Sequence, residues 1–344
     1  MRTPDFESNL LKVLQKQKPE RPTLFEFLIS AEAEEALADY RRKDESYFEY
    51  LRFRTDAFYH AGYDFVPMLA SKFVFPKKPH LLEETHSLND GAWIVDRESF
   101  EKYQWPDPMD FSYEDAEKAT RELPDGMKAM IYQPDGLLEN VIALTGYDNL
   151  CYMLADDREL VGAIFKEVGD RLISYLRMGI QLDNVGLVFI NDDWGFRTST
   201  MISHDDLREF VFPYAKKAVD LAHQNGLPCA IHSCGNFRGI FEEFYEVIGL
   251  DGKHSYEDTI MPVEDAYEKY ADKIAILGGI DIDFLCRAPQ EDIVKRCRNM
   301  LSLSESRGGY ALGSGNSIAK YVPLESYFAM LRTVNPDLKI NKKI

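Results

Sequence analysis

Short apolar runs alternate with long amphipathic ones along most of the chain. Of eight candidate strands, at 23–28, 63–69, 128–132, 186–191, 229–232, 249–253, 274–278 and 310–313, most are only four to six residues long and rich in Val, Ile, Leu, Phe or Ala. Continuous apolar runs of this length suit strands buried on both faces of a parallel sheet. Between them the period becomes helical. Within 158–181, Leu160, Val161, Ile164, Phe165, Val168, Leu172, Ile173 and Leu176 recur at steps of three and four, and Asp156 or Asp157 can cap the start. A second helix opens on Ser203-His204-Asp205-Asp206, which has the form of a capping box. Pro213 kinks or restarts it, and Gly226-Leu227-Pro228 stops it directly before the next strand. Another helix begins at Pro289, runs to about Arg307 and ends at Gly308-Gly309.

Eight strands alternating with helices predict the α/β class, a (β/α)8 TIM barrel in a single domain spanning residues 1–344. A doubly wound sheet is the competing architecture. It normally carries a Gly-rich phosphate loop after its first strand, and none follows residue 28. Residues 71–125 break the alternation, with Pro76, Pro79, Trp93, Trp105, Pro106 and Pro108 marking an irregular excursion. It is expected either to cover the barrel mouth or to pack as a surface decoration.

Composition narrows the function classes. A chain of 344 residues, 45% hydrophobic, can bury a large core. A formal net charge of −18 leaves no basic footprint for nucleic acid and no cationic face for anionic lipid. The cysteines, Cys151, Cys229, Cys234, Cys286 and Cys297, are odd in number and widely spaced, unlike a disulfide framework. No segment approaches the ~18 uninterrupted apolar residues of a membrane span. The first residues, MRTPDFESNLLKVLQKQ, lack the apolar core of a signal peptide. A cytoplasmic protein is expected.

In a barrel of this kind, catalysis uses residues just past the carboxyl ends of the strands. Tyr132, Asp135 and Glu139 follow the third predicted strand, and Asp192, Asp193, Trp194 and Arg197 the fourth. His232 and Cys234 follow the fifth, His254 and Glu257 the sixth, Asp281 and Asp283 the seventh, and Asn316 the eighth. His232-Ser233-Cys234-Gly235 is the sharpest of these signals. Residues two apart on an extended chain point to one side, so the imidazole and the thiol make half of a zinc site that needs one or two more ligands. The alternative is a thiol packed as a small hydrophobe beside a histidine bonded to backbone. Asp192 and Asp193 are adjacent and face opposite ways, so one enters the site as an acid/base or cation holder while the other caps a loop or helix. His254 and Glu257 can add a ligand or an acid/base group, or serve structure alone. Asp281 follows Gly278-Gly279-Ile280, where glycines either admit a ligand close to the backbone or relieve crowding. The stretch 132–140 can bind a polar substrate group, or its Asp135-Gly136 pair can be only a turn.

Five stretches together resemble the uroporphyrinogen decarboxylase superfamily from about residue 20 to the carboxyl terminus. They are Asp64-Phe65-Val66-Pro67, Asp192-Asp193-Trp194-Gly195, His232-Ser233-Cys234-Gly235, Leu277-Gly278-Gly279-Ile280-Asp281, and Gly313-Ser314-Gly315-Asn316-Ser317-Ile318 before Pro323. The superfamily includes decarboxylases and corrinoid-dependent methyltransferases. The decarboxylase branch has an arginine-rich amino-terminal segment, whereas Arg21 is the only arginine in 20–27 here. Asp64 matches that branch's acidic residue, while Asn316 stands in place of its histidine and Asp193 in place of a small hydroxyl residue. The methyltransferase branch binds zinc through a His-x-Cys pair and a later Cys. His232 and Cys234 match the pair, and the later Cys falls at Asn316, leaving Glu257, His254 and Asp193 as replacement ligands.

The resemblance, closer to that branch, implies a methyltransferase that moves a methyl group between a small-molecule donor or acceptor and a corrinoid held by a carrier protein. It implies zinc at His232 and Cys234; together with the strand-end positions and the match at Asp64, the expected catalytic residues are Asp192, Asp193, Asp64 and Glu257. Tyr132, Arg197, His254, Asp281 and Asn316 would bind substrate, in a monomer or homodimer. One alternative is a decarboxylase of uroporphyrinogen or another tetrapyrrole, in porphyrin biosynthesis, centred on Asp64. Another is a non-catalytic corrinoid- or tetrapyrrole-binding protein.

Overall fold

The apolar runs become a parallel sheet in a computed structural model that describes residues 2–76, 88, 89 and 92–341. Among the described residues seven strands are formed: β1 (Phe65–Met68), β2 (Lys128–Tyr132), β3 (Val185–Asn191), β4 (Cys229–His232), β5 (Gly252–His254), β6 (Ala275–Leu277) and β7 (Tyr310–Ala311). They are hydrogen-bonded in chain order, and every pairing is parallel. Each residue of β1, β4, β5, β6 and β7 is buried. Their outer faces are covered by the intervening helices, which is why their sequences do not alternate.

The expected first strand departs from a regular ladder. Segment 23–29 meets β7 and the chain beyond it through isolated parallel bridges, Leu24 with Leu312 and Ile29 with Ile318. Between them Phe25 N donates to Leu312 O at 2.8 Å and Leu312 N to Thr23 O at 2.7 Å. The reason the ladder stops is a side chain. Ser314 N gives its proton to the Glu26 carboxyl at 2.6 Å rather than to a backbone carbonyl. On the other side Phe25 stacks on Phe65 of β1, with ring centroids 5.1 Å apart. The curled sheet is thereby closed as a (β/α)8 TIM barrel, with seven regular strands and one position held by bridges. The fifth and sixth strands differ little from expectation, except that the run 249–253 yields its strand later, at Gly252–His254.

The helices follow their sequence signals. Asp157 accepts the Leu160 N–H at the start of Arg158–Gly179. Ser203 accepts the Asp206 N–H, but the helix it opens comes in three pieces: His204–Asp206, a π-turn at Leu207–Val211, and Phe212–Gln224 with Pro213 in its first turn. Proline has no N–H to continue the ladder, and a wider turn absorbs the mismatch. In the excursion, Arg97–Lys102 and Glu114–Arg121 are short helices. The described part packs as a decoration against Arg158–Gly179: Phe73 stacks on Tyr175, and Arg171 lies over the Trp105 ring while donating to Pro106 O. Pro79 lies outside the described residues. Among the described residues no helix is long and apolar enough to cross a membrane.

Candidate active site

Strand register builds the site. Asn191 of β3 lies beside His232 of β4, which lies beside His254 of β5. Two residues further on, Asp193 and Cys234 therefore face each other, and Cys234 N donates to Asp193 Oδ1 at 2.7 Å. His232 Nε2 is 3.6 Å from that oxygen and 3.5 Å from Cys234 Sγ. One ligand atom from each of Asp193, His232 and Cys234 lies within 4.8 Å of the others. This approach depends on glycine. A Cβ on Gly235 would sit 2.4 Å from the Cα and carbonyl carbon of Gly195, and Gly235 has φ +119.

A tier of partners surrounds the three. His232 Nδ1 is 2.9 Å from His254 Nδ1, and His254 Nε2 is 3.3 Å from Ser314 O. Cys234 Sγ is 3.2 Å from Ser255 Oγ and receives the Asn316 side-chain amide at 3.3 Å. Burial pushes the His232 imidazole down to about 4, against the opposing pull of Asp193. Burial, helped by the Asp193 charge, pushes the Cys234 thiol up to about 12. With only protein around them, the imidazole is neutral and the thiol protonated at neutral pH. A sulfur, an imidazole nitrogen and a carboxylate oxygen converging on one buried point are a donor set that suits zinc, whose charge would favour the thiolate.

The other expected residues divide in two. Asn316 and Glu257 border this centre, and with Arg197 and Asp281 they line a cleft of about 810 Å3 that also includes Tyr256 and Tyr321. Burial raises the Glu257 carboxyl above its ordinary value. Asp281 has a structural task as well: it accepts Phe284 N at 3.0 Å, capping Ile282–Arg287, and Asp258 N at 2.9 Å. Asp192 turns away from the centre. It accepts Leu138 N and Glu139 N at 3.1 Å and Trp194 Nε1 at 2.7 Å, holding the start of the helix Leu137–Thr145. Burial raises Asp192 to about 7 and Glu139 to about 8. Tyr132 packs edge-on against Phe27 at 5.0 Å. Asp64 is not brought to this centre. It precedes β1, at the amino end of the strand, where it accepts Arg21 at 2.6 Å and Asp5 N at 2.8 Å.

Lys253 was not singled out by sequence reasoning. Its Nζ, fully buried, donates to the carbonyls of Ser233 at 3.1 Å, His254 at 3.2 Å and Ser255, so it ties the two loops that flank Cys234. Burial lowers it to about 8. A lysine at the end of a strand predicted to be buried was the available signal.

A solved structure of a methyltransferase from Methanosarcina mazei superposes with a TM-score of 0.67 at 13% identity, covering 97% of this chain and 99% of that one. A uroporphyrinogen decarboxylase from Dechloromonas aromatica is 23% identical over 201 residues, which is 57% of this chain and 54% of the relative. Another, from Anaeromyxobacter sp. (strain Fw109-5), is 26% identical over 133 residues, 38% of this chain and 36% of the relative. The chain thus matches about half or less of the length of these relatives. The family model described as uroporphyrinogen decarboxylase (URO-D) matches residues 91–336, most of the sequence, and the chain belongs to that family.

Proposed function

We propose that this chain is a methyltransferase of its family, transferring a methyl group between a small molecule and a corrinoid on a carrier protein, with zinc held by Asp193, His232 and Cys234. The observation that carries the reading is the convergence of these three donors within 4.8 Å at the carboxyl ends of β3 and β4. A zinc ion held by these residues would supply Lewis acidity that lowers the pKa of a substrate thiol, favouring the thiolate at neutral pH.

The residues of the chain do the rest. Cys234 N–H fixes one oxygen of Asp193, which aims the carboxylate at His232. Asn316 does not act as the third ligand, because its amide oxygen is engaged by Ser317 N at 2.7 Å and its NH2 faces the sulfur. Asp193 takes that place. An N–H donated to a metal-bound sulfur disperses its charge. The cleft beside Asn316, with Arg197, Glu257 and Asp281, receives the small molecule. The methyltransferase from M. mazei, alike over nearly the whole chain, supports the reaction class.

The curated relatives favour a second reading, decarboxylation of uroporphyrinogen or another tetrapyrrole. Against it, Asp64 and Arg21 are bonded to each other at the amino end of β1, away from the strand ends that carry His232 and Cys234. A binding protein without turnover would keep the cleft and lose both activities. The deciding test is metal content of the purified, untagged protein before and after mild chelation. About one zinc per chain, lost in Cys234→Ser with the fold intact, supports the methyltransferase reading. No metal after reconstitution with zinc ends it, and release of carbon dioxide from uroporphyrinogen would install the second reading.

A further inference from the structure

We infer that His254 is a positioning residue that sets the tautomer of His232, and that Ser314 and Glu26 hold it in that role. The inference rests on the reading of His232 as a ligand.

A chain of hydrogen bonds runs from Glu26 through Ser314 and His254 to His232. Glu26, fully buried on the bridged segment, accepts Ser314 N at 2.6 Å and Ser314 Oγ at 2.8 Å. Both contacts fix the backbone at Ser314, whose carbonyl lies 3.3 Å from His254 Nε2. A carbonyl oxygen only accepts, so His254 Nε2 carries a proton. A neutral His254 then has a bare Nδ1. That nitrogen is 2.9 Å from His232 Nδ1, and one hydrogen bond between two nitrogens holds one proton. The proton belongs to His232 Nδ1. His232 is therefore left with a bare Nε2, the nitrogen that faces Cys234 and Asp193.

The direction of every bond is forced by the first acceptor. Without His254, His232 is free to place its proton on Nε2, toward Asp193, where it would block ligation. A ligating histidine with its second nitrogen fixed by hydrogen bonding binds metal more tightly. The partner here is a second imidazole, where a carboxylate or carbonyl is usual.

The test uses full-length, metal-free protein with 15N-labelled histidine, and long-range 1H–15N spectra at neutral pH, with His232 assigned from His232→Asn. The expected result is a proton on His232 Nδ1 and a bare Nε2. In His254→Leu the proton should distribute over both nitrogens, and zinc affinity in chelator competition should fall about 10- to 100-fold. His254→Gln should restore the wild-type tautomer, since its amide oxygen accepts from His232 and its NH2 donates to Ser314. A proton on Nε2 in the wild type overturns the inference, as does a tautomer unchanged in His254→Leu. If that variant does not fold, the wild-type and Gln spectra still decide. Because the tautomer is read without metal, a correct tautomer in a protein that binds no zinc supports this inference while ending the metal reading.

Discussion

Replacing Gly235 with alanine tests whether the contact between two loops makes the site. The added Cβ would lie 2.4 Å from Gly195 Cα and carbonyl carbon, whereas carbon atoms rest about 3.5 Å apart. The loops carrying Asp193 and Cys234 must then part by about 1 Å. Neither side has a flexible side chain that can yield. The substitution also forces a side chain into φ +119, which costs about 1–3 kcal/mol. Overpacking adds about 1–3 kcal/mol, for a total loss of about 2–6 kcal/mol. Most domains of ~5–15 kcal/mol stability survive that. Metal ligation tolerates only about 0.2 Å in ligand distance, so a parting of 1 Å should lower zinc affinity at least tenfold. Urea unfolding and competition with a chromophoric chelator measure the two effects. The control is Gly226→Ala, where φ is +72 and a Cβ meets nothing within 4 Å. It should lose about 1 kcal/mol and no metal affinity. A Gly235→Ala protein with the wild-type urea midpoint and zinc affinity would refute the argument.

Further predictions concern single carboxylates. Asp193→Asn should lose zinc while Asp192→Asn retains it, measured as metal per chain; equal loss from both would refute their division of labour. Asp64→Asn should lower stability by about 2 kcal/mol, because it removes the buried carboxylate that meets half-buried Arg21 at 2.6 Å and Arg2 at 4.0 Å, and leave zinc content unchanged. Loss of zinc in that variant would tie the two ends of the barrel together. Glu26 is raised from 4.5 to about 8 by burial. The unfolded chain therefore releases this proton first, and the contribution of Glu26 to stability falls as pH rises from about 4.5 to about 8, then levels off. Glu26→Gln should flatten that decline, whose slope is at most ~1.4 kcal/mol per pH unit; an unchanged slope would clear Glu26 of it.

Local patterns carried much of the fold into the sequence. Buried strands are written as short apolar runs, and the Ser203 and Asp157 caps as single residues at fixed offsets. Alternation in an extended chain also anticipated that Asp192 and Asp193 must part. What a run cannot say is where within it the ladder begins. The run 63–69 contains Asp64, yet β1 starts at Phe65, so this carboxylate stands at the amino end. The relay through Ser314 was equally hidden, since Glu26 and Ser314 are 288 positions apart. Lys253 is legible as an anomaly in its strand, but its three carbonyl partners depend on how two loops fold over it. Asn316 was legible as a polar residue past the eighth predicted strand, but its contact with Cys234, 82 positions away, was not.

The bridged segment at 23–29 has a consequence for hydrogen exchange. Its few inter-strand bonds make it a low-free-energy opening unit in a barrel otherwise stitched by continuous ladders. Opening there releases Ser314 from Glu26 and frees the carbonyl that His254 reads. Amides of Phe25 and Leu312 should exchange before those of β3 and β4. The fraction of molecules with His232 correctly protonated is then bounded by how often this seam is shut, and a ligand that clamps the seam would raise metal affinity from more than one strand away.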